Sequence, residues 1–194
     1  MEKIILAKKL KEEIKKLKKE NSKLKKLVYL DDLTRLYNRR ALIEIGNRYF
    51  DSLKKLKQRK TKRRNDIKFL NILFLDIDDF KKINDKYGHG KGDRVLKSFS
   101  KFLLSNFRKT DIVSRYGGEE FVVLLVNVSY KIAKKISLKL RKKTEKASFN
   151  GLRITASIGV LNLRRERSFK ELVKKADDLM YQAKKRGKNQ VVFI

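Results

Sequence analysis

Residues 69–79 read Phe-Leu-Asn-Ile-Leu-Phe-Leu-Asp-Ile-Asp-Asp. The run is rich in leucine, isoleucine and phenylalanine, and it ends in the acids Asp76, Asp78 and Asp79. This pattern predicts a buried central strand from Phe69 to Ile77 with carboxylates at its carboxyl end. Because binding sites in sheet proteins favour strand ends, we expect functional residues near Asp76.

The chain on either side of this strand alternates between helical and strand patterns. Helices are predicted at about Arg39 to Lys55, Phe80 to Tyr87, Lys91 to Asn106, Tyr130 to Lys146 and Phe169 to Arg186. Further strands are predicted at Ile112 to Tyr116 and Glu119 to Val126, a hairpin around Gly117-Gly118, and at Leu152 to Leu161 and Gln190 to Ile194. The predicted fold class is therefore mixed α/β, with helices and strands in one layered domain.

The composition indicates one ordinary domain plus an appendage, with 194 residues of which 41% are hydrophobic. Lys and Arg outnumber Asp and Glu by 53 to 22, giving a net charge of +31 that attracts phosphate-bearing partners. Lysine usually lies on solvated faces, and the basic run from Lys54 to Lys68 is interpreted as an exposed connection. The chain has no cysteine, which excludes disulfides and thiolate metal sites.

Nothing in the sequence predicts export or a membrane span. Met1 to Lys9 lack the apolar run of roughly 7–15 residues that a signal peptide needs. The apolar stretches Ile72 to Leu75 and Phe121 to Val126 are far shorter than the roughly 20 residues that cross a bilayer. We expect a cytoplasmic protein without membrane contact.

The amino-terminal residues carry a heptad pattern. Apolar residues and one asparagine alternate four and three apart at Leu10, Ile14, Leu17, Asn21, Leu24 and Val28. This predicts a short parallel coiled coil, in which Asn21 at a core position favours two strands in register. The predicted domains are residues 1–30, a dimerising helix, and residues 31–194, the mixed α/β domain. The alternative is one amphipathic helix packed on its own domain.

Two acidic groups suggest metal chemistry. Asp76 and Asp78 stand at the strand end, and Glu119 and Glu120 follow the glycine turn. Hard carboxylate oxygens suit Mg²⁺, and a turn without side chains lets a nucleotide approach the main chain. Triphosphate could be met by the lysines Lys81, Lys184 and Lys188. Each feature also has an ordinary explanation: a helix cap at Asp78 or Asp79, a plain hairpin turn, and a solvated i,i+4 lysine pair.

Read jointly, these residues resemble the GGDEF family from about Asp31 to Ile194. The matching motifs are Asp32-Leu-Thr34 with Asn38-Arg39, Asp76-Ile-Asp78-Asp-Phe80-Lys81-Lys-Ile-Asn84-Asp85, Gly88-His89-Gly-Lys-Gly92-Asp93, Arg115-Tyr-Gly117-Gly118-Glu119-Glu120-Phe121, Ala156-Ser-Ile-Gly-Val160, Ala176-Asp177, Tyr181-Gln-Ala-Lys184 and Gly187-Lys188-Asn189. Glu119 stands where Asp is common, a variant that the family uses in active enzymes.

The resemblance implies a central, mostly antiparallel sheet wrapped by helices, related to the palm of nucleotide polymerases and cyclases. Asp76 and Glu119 would bind two Mg²⁺ ions, or Mn²⁺, with the main-chain carbonyl of Ile77. Glu120 is also placed at the catalytic centre, either in deprotonation or in an indirect contact.

For substrate, the resemblance implies that Asn84 and Asp93 bind the guanine edge. A carboxylate at Asp93 accepts from the ring N–H and amino group of guanine, a donor pair that adenine lacks. The remaining nucleotide-binding positions would be Phe80, Lys81, His89, Gly117, Gly118, Lys184 and Lys188. His89, the only histidine, is interpreted as structural rather than as a base or metal ligand.

The activity implied is that of a diguanylate cyclase, which condenses two GTP into cyclic di-GMP and two pyrophosphates across a homodimer. Residues 1–30 would bring the two domains together. Arg108-Lys-Thr-Asp111 resembles the family's RxxD site, at which product inhibits; the simpler reading is a surface i,i+3 ion pair.

Three other functions remain open from sequence. The chain could be a GGDEF domain that only binds nucleotide, a nucleic-acid-binding protein using its +31 charge, or a palm-fold relative that makes another product. Retention of Asp76, Glu119, Asn84 and Asp93 together favours the cyclase, so we do not expect a nucleic-acid partner.

Overall fold

The computed structural model describes residues 9–17, 20, 28–57, 67–163 and 166–194. Apart from the helical residues 9–17, its helices are α1 (Arg39–Lys57), α2 (Phe80–Tyr87), α3 (His89–Asn106), α4 (Tyr130–Lys146) and α5 (Phe169–Lys185). Its strands are β1 (Leu70–Ile77), β2 (Ile112–Gly117), β3 (Glu120–Val126), β4 (Ser148–Phe149), β5 (Leu152–Arg153), β6 (Ala156–Asn162) and β7 (Val191–Phe193).

The predicted central strand is the middle of the main sheet. The strand order is β2-β3-β1-β6-β7, and β1 pairs antiparallel with both β3 and β6. Among the described strands of this sheet, only β7 runs parallel to its neighbour, β6. Every residue of β1 is buried, which explains why its sequence is apolar up to Asp76 except at Asn71, whose buried amide donates to the carbonyl of Val128. The structure confirms the α+β class and the mostly antiparallel sheet.

The sheet separates two hydrophobic cores. On one face Leu73 and Leu75 of β1 pack with α2, α3 and α4 around Phe99. On the other face Ile72 and Phe74 pack with α1 and α5. Alternate residues of a strand point to opposite faces, so each face of β1 is covered by helices.

One predicted strand is divided in the structure. Leu152 to Leu161 was expected to be continuous, but it forms β5 and β6 with a break between them, and β5 pairs with the unpredicted β4. The aromatic ring of Phe149 in β4 packs edge-on against Phe99 at 5.5 Å and Phe102 at 5.2 Å. Burying this ring draws the small hairpin onto α3, which a strand pattern alone does not reveal.

Near the amino terminus, residues 9–17 are helical, and Leu10, Ile14 and Leu17 are 46–57% exposed. Asn21 and Leu24 of the heptad pattern, and most of the basic run Lys54 to Lys68, lie outside the described residues. The coiled coil and the boundary at residue 30 stay predictions. No helix among the described residues is both long and apolar enough to cross a bilayer.

Candidate active site at the end of the central strand

Asp76 is a buried carboxylate next to a lysine. It continues the face of β1 that packs on α5, and its side chain is 5% exposed. Lys184 of α5 lies with Nζ 2.7 Å from Oδ2 of Asp76. Burial raises the pKa of Asp76 to about 6, because the effect of Lys184 is outweighed by desolvation together with the nearby Glu119 and Glu120. Oδ1 is buried and accepts no hydrogen bond from any residue that the structure describes.

The β2–β3 turn brings the other acids to this carboxylate. Glu120 lies directly opposite Asp76 in the β1–β3 pairing. The carbonyl of Glu119 accepts a hydrogen bond from the N–H of Ile77 at 3.3 Å. The φ angle of Gly118 is 33°, with nothing within 4 Å of the place a side chain would take. The predicted glycine turn is therefore open to a ligand.

Burial also raises the pKa of Glu120, with repulsion from Asp177 and Glu119 adding to it. Asp177 of α5 is half-buried, and its own pKa is raised by burial and by Asp178. Asp177 lies within a matching sequence motif but had no predicted role, because its approach to Glu120 depends on how α5 packs on the sheet. The site thus concentrates carboxylates with raised pKa, a feature of functional sites.

The donor set fits a divalent cation. The unpartnered Oδ1 of Asp76 supplies a hard oxygen, and the carboxylate of Glu119 and the carbonyl of Ile77 come from the two adjoining segments. Among the described residues, no three acidic or histidine side chains converge on one point. That is compatible with Mg²⁺, which commonly uses one or two carboxylates and takes its other ligands from water and substrate phosphates.

Arg115 holds the glycine turn in place. Its Nε donates to the carbonyl of Gly118 at 2.9 Å, and its Nη1 contacts both carboxylate oxygens of Asp31. Asp31 also accepts from the N–H and hydroxyl of Thr34. These hydrogen bonds outweigh the effect of burial and hold the pKa of Asp31 below its usual value. Arg115 lies within a matching sequence motif but had no predicted role, because nothing local in the sequence pairs it with Asp31.

The predicted guanine residues lie on α2 and α3. Asn84 of α2 packs against Gly92 of α3 so closely that a side chain at Gly92 would begin 2.0 Å from Oδ1 of Asn84. Asp93 and His89 of α3 are exposed. Phe80 is buried at 6% and packs in the core. Its side chain is therefore part of the core, and binding of a phosphate at this position stays a prediction.

The predicted phosphate lysines differ in their surroundings. Lys184 is bound to Asp76, as above, and Lys188 lies 2.9 Å from Asp79. Hydrogen bonds from Lys82 and Lys188 hold the pKa of Asp79 below its usual value. Lys81 is exposed. The simple reading of Lys184 and Lys188 as a solvated i,i+4 pair is wrong, because each contacts its own carboxylate.

Asp78 and Asp79 have different structural roles. Asp78 is buried and accepts hydrogen bonds from Thr155 Oγ1, from Ser157 Oγ and from the N–H of Asn189. It joins β1, β6 and the chain after α5. Asp79 is the residue before α2, in a left-handed conformation, and its side chain makes no capping hydrogen bond. The cap interpretation therefore fails for both residues.

The candidate inhibitory residues form a turn. Asp111 is buried, and its Oδ2 accepts the main-chain N–H of Arg108 at 3.0 Å. Within the described residues the two side chains make no ion pair, so the simple i,i+3 reading is not supported. The guanidinium of Arg108 is exposed beside a cavity of about 320 Å³.

The sequence is similar to those of known proteins. The family model described as diguanylate cyclase, GGDEF domain, matches residues 28–190. The diguanylate cyclase DgcM of Escherichia coli K12 is 45% identical over 123 residues, covering 63% of this chain and 30% of that protein. The response regulator PleD of Caulobacter vibrioides is 38% identical over 174 residues, covering 86% of this chain and 36% of that protein. The chain thus spans about a third of these relatives' length.

Solved structures agree on the fold. The coiled coil and GGDEF domain of DgcB from Caulobacter crescentus, in complex with c-di-GMP, superposes with a TM-score of 0.82 at 21% identity, covering 97% of each chain. The active GGEEF domain of a diguanylate cyclase from Vibrio cholerae has a TM-score of 0.70 at 29% identity, covering 80% of this chain and 96% of that one. Since the family model matches residues 28–190 and the sheet has the corresponding fold, the chain belongs to the GGDEF-domain family.

Proposed function

We propose that the chain is a diguanylate cyclase, which joins two GTP into cyclic di-GMP with release of two pyrophosphates. The observation that carries this proposal is the buried, unpartnered Oδ1 of Asp76 beside the open turn at Gly118 and Glu119. Relatives named as diguanylate cyclases support the same activity.

Asp76 and Glu119, with the carbonyl of Ile77, would hold the divalent cations. When bound, Mg²⁺ or Mn²⁺ would offset charge on the phosphates and lower the pKa of the attacking hydroxyl. Lys184 is already at the site, so its ammonium can pass from Asp76 to a phosphate without a large movement. Arg115 keeps the turn fixed while substrate binds.

Guanine would lie between α2 and α3. Asn84 offers an amide and Asp93 a carboxylate, a combination that matches the hydrogen-bonding edge of guanine. The close contact of Asn84 with Gly92 fixes the position of that amide before substrate binds. The triphosphate would meet Lys81, Lys188 and the first main-chain N–H groups of α2.

The reaction joins the two nucleotides in two equivalent steps. The 3′-oxygen of one GTP attacks the α-phosphorus of the other, forming a phosphoester bond as the bond from that phosphorus to the β-phosphate oxygen breaks. Pyrophosphate leaves, and the hydroxyl proton passes to an acceptor. Glu120 is suited to accept it, because burial raises its pKa. A second, reciprocal transfer closes the ring.

One domain binds one GTP in this scheme, so two domains must face each other. Residues 1–30 would supply the contact as a parallel coiled coil, raising the local concentration of the second site. The exposure of Leu10, Ile14 and Leu17 on the described chain supports an association that covers them.

Product would inhibit at the Arg108–Asp111 turn. The exposed guanidinium of Arg108 can fork onto a phosphate or a guanine edge, and Asp111 lines the adjoining cavity. The complex of the related DgcB structure with c-di-GMP supports product binding by this kind of domain.

The direct test is to incubate the purified chain with GTP and Mg²⁺ and to identify the products by mass. Glu119→Gln keeps the shape of the side chain and removes its charge. Asp51→Asn is the control, because it also removes one negative charge but at an exposed position on α1 outside the site. We expect cyclic di-GMP from the native chain and from Asp51→Asn, and a loss of at least about 100-fold for Glu119→Gln.

Parallel reactions with ATP test the guanine assignment. If the native chain makes no cyclic di-GMP at high concentration and after removal of bound product, the cyclase proposal is overturned and a nucleotide-binding domain is favoured. Equal turnover of ATP would overturn the roles given to Asn84 and Asp93.

A further inference from the structure

The cavity beside Arg108 is lined by two segments far apart in sequence. Residues 30–37 form one wall, and residues 104–113 form the other. Its volume of about 320 Å³ is at the lower end of the roughly 300–1,000 Å³ found for small-molecule sites. The lining residues that matter for recognition are Arg35, Arg108, Lys109, Asp111, Tyr37 and Phe107. With three cations against one carboxylate, the lining of the cavity carries an excess of positive charge.

Arg35 is the unexpected member, because it comes from the opposite segment. Its φ is 61°, in the left-handed region, which costs an arginine roughly 1–2 kcal/mol relative to a helical or extended conformation. Glycine would adopt this conformation without that cost. The main-chain conformation at residue 35 therefore does not favour arginine. Any favourable contribution of Arg35 comes from its side chain.

The guanidinium of Arg35 is available to a ligand. Its one ion pair in the described chain is with Asp32, at 3.9 Å, and the side chains are 58% and 96% exposed. Pairs that are so exposed and so long hold a side chain weakly. A phosphodiester entering the cavity can replace Asp32 with a shorter, two-pronged contact.

We propose that Arg35 is a third binding residue for the cyclic dinucleotide at the Arg108–Asp111 turn. This inference rests on the proposed product site. Arg108 approaches a ligand from the end of α3, and Arg35 approaches it from the loop before α1, so the two guanidinium groups can contact the same phosphodiester ring from opposite walls. Phe107 and Tyr37, each half-buried against a hydrophobic core, add aromatic surface to the same cavity.

Arg35 also connects the cavity beside Arg108 to the active site. It lies in the segment that carries Asp31, and its own N–H donates to the carbonyl of Asp31 at 2.8 Å. Tyr37 in the same segment accepts the N–H of Arg115 at 2.8 Å. A ligand that contacts Arg35 therefore contacts the segment that holds Arg115.

The test is calorimetric titration of cyclic di-GMP into the full chain and three variants. Arg35→Gly removes the guanidinium and relieves the backbone conformation, so the variant should melt no lower than the native chain. Arg108→Ala removes the opposite guanidinium. Lys101→Ala, at an exposed position on α3, removes one positive charge without touching the cavity, which controls for the attraction of an anion to a chain of charge +31.

We expect Arg35→Gly to weaken binding about five- to twentyfold, Arg108→Ala to weaken it at least as much, and Lys101→Ala to change it less than twofold. If Arg108→Ala weakens binding and Arg35→Gly behaves like Lys101→Ala, the role of Arg35 is overturned and the product site stands. If Arg108→Ala also has no effect, product binds elsewhere and both proposals fall.

Discussion

Arg115 and Asp31 are 84 positions apart in sequence, yet their side chains meet at 3.1 and 3.2 Å. The arginine side chain is 15% exposed and the aspartate 23%. Because Arg115 also holds the carbonyl of Gly118, this pair connects the segment before α1 to the turn that presents Glu119.

Replacing Asp31 by Asn should therefore both destabilise the domain and slow the enzyme. The change removes a charge-assisted contact from a partly buried arginine, so we expect a loss of about 1–3 kcal/mol in the free energy of unfolding. We also expect kcat to fall more than KM rises, because the turn at Glu119 loses its support. Chemical denaturation and steady-state kinetics measure the two effects.

The matched control is Asp32→Asn, because its side chain is 96% exposed and its only described ion pair is long. The free energy of unfolding and kcat of this variant should stay close to the values of the native chain. Equal effects of the two substitutions would contradict the role assigned to the Asp31–Arg115 pair.

Asp76 should make the metal-free chain less stable at neutral pH than at mildly acidic pH. Its pKa is about 6 in the folded chain against 3.8 as the ordinary value, so the folded state binds a proton more tightly than the unfolded state does. Between roughly pH 4 and pH 6 the Asp76 contribution to stability falls as pH rises, and the penalty is complete above about pH 7.

Asp76→Asn should remove this dependence. In urea unfolding with EDTA, the variant should gain about 1–3 kcal/mol over the native chain at pH 8 and much less at pH 4.5. Asp51→Asn, at an exposed position, should show the same small difference at both pH values. A gain for Asp76→Asn that does not change with pH would show that burial of its charge is not the cause.

Gly92→Ala should damage substrate binding. The new methyl group would lie 2.0 Å from Oδ1 of Asn84 and 3.1 Å from Cζ of Phe80, so Asn84 must move away. We expect KM for GTP to rise about tenfold with a smaller change in kcat, as for the loss of one well-placed hydrogen bond.

Gly90→Ala, two residues earlier in α3, is the matched control. Its nearest neighbour is the end of the Arg94 side chain at 3.8 Å, so the methyl group fits and helix propensity improves. KM for GTP should stay within about twofold of native. If both alanines raised KM equally, the position of Asn84 would not be what matters.

Removal of residues 1–27 should make activity depend steeply on protein concentration. The truncation spares residues 28–30, because Asn38 binds the carbonyls of Val28 and Tyr29. We expect specific activity near native at high concentration and at least tenfold lower when the protein is dilute. Sedimentation should show the loss of the dimer.

Leu17→Asp in the full chain should have the same effect, whereas Lys16→Asp, next to it but off the heptad seam, should not. A native chain that is monomeric and fully active at low concentration would contradict the coiled-coil proposal.

Several helices and strands could be predicted from sequence, because residue patterns within short segments determine them. Helices α2 and α4 have the bounds that their periodicity predicted, and β1 was evident from a run that is apolar at all but one position before Asp76. The β4–β5 hairpin was missed because its cause is a contact between Phe149 and the distant residues Phe99 and Phe102. Strand patterns record which residues are apolar, not which ring they pack against.

By itself, the sequence determined the α+β class, the buried strand ending at Asp76, the acids of the glycine turn and the motifs of the GGDEF family, because apolar periodicity and motif spacing are properties of short segments. Only the tertiary structure decided that Lys184 binds Asp76, that Arg115 binds Asp31 and that Arg35 faces the cavity beside Arg108. Those contacts join segments on different elements, and their partners are set by how helices and loops pack on the sheet.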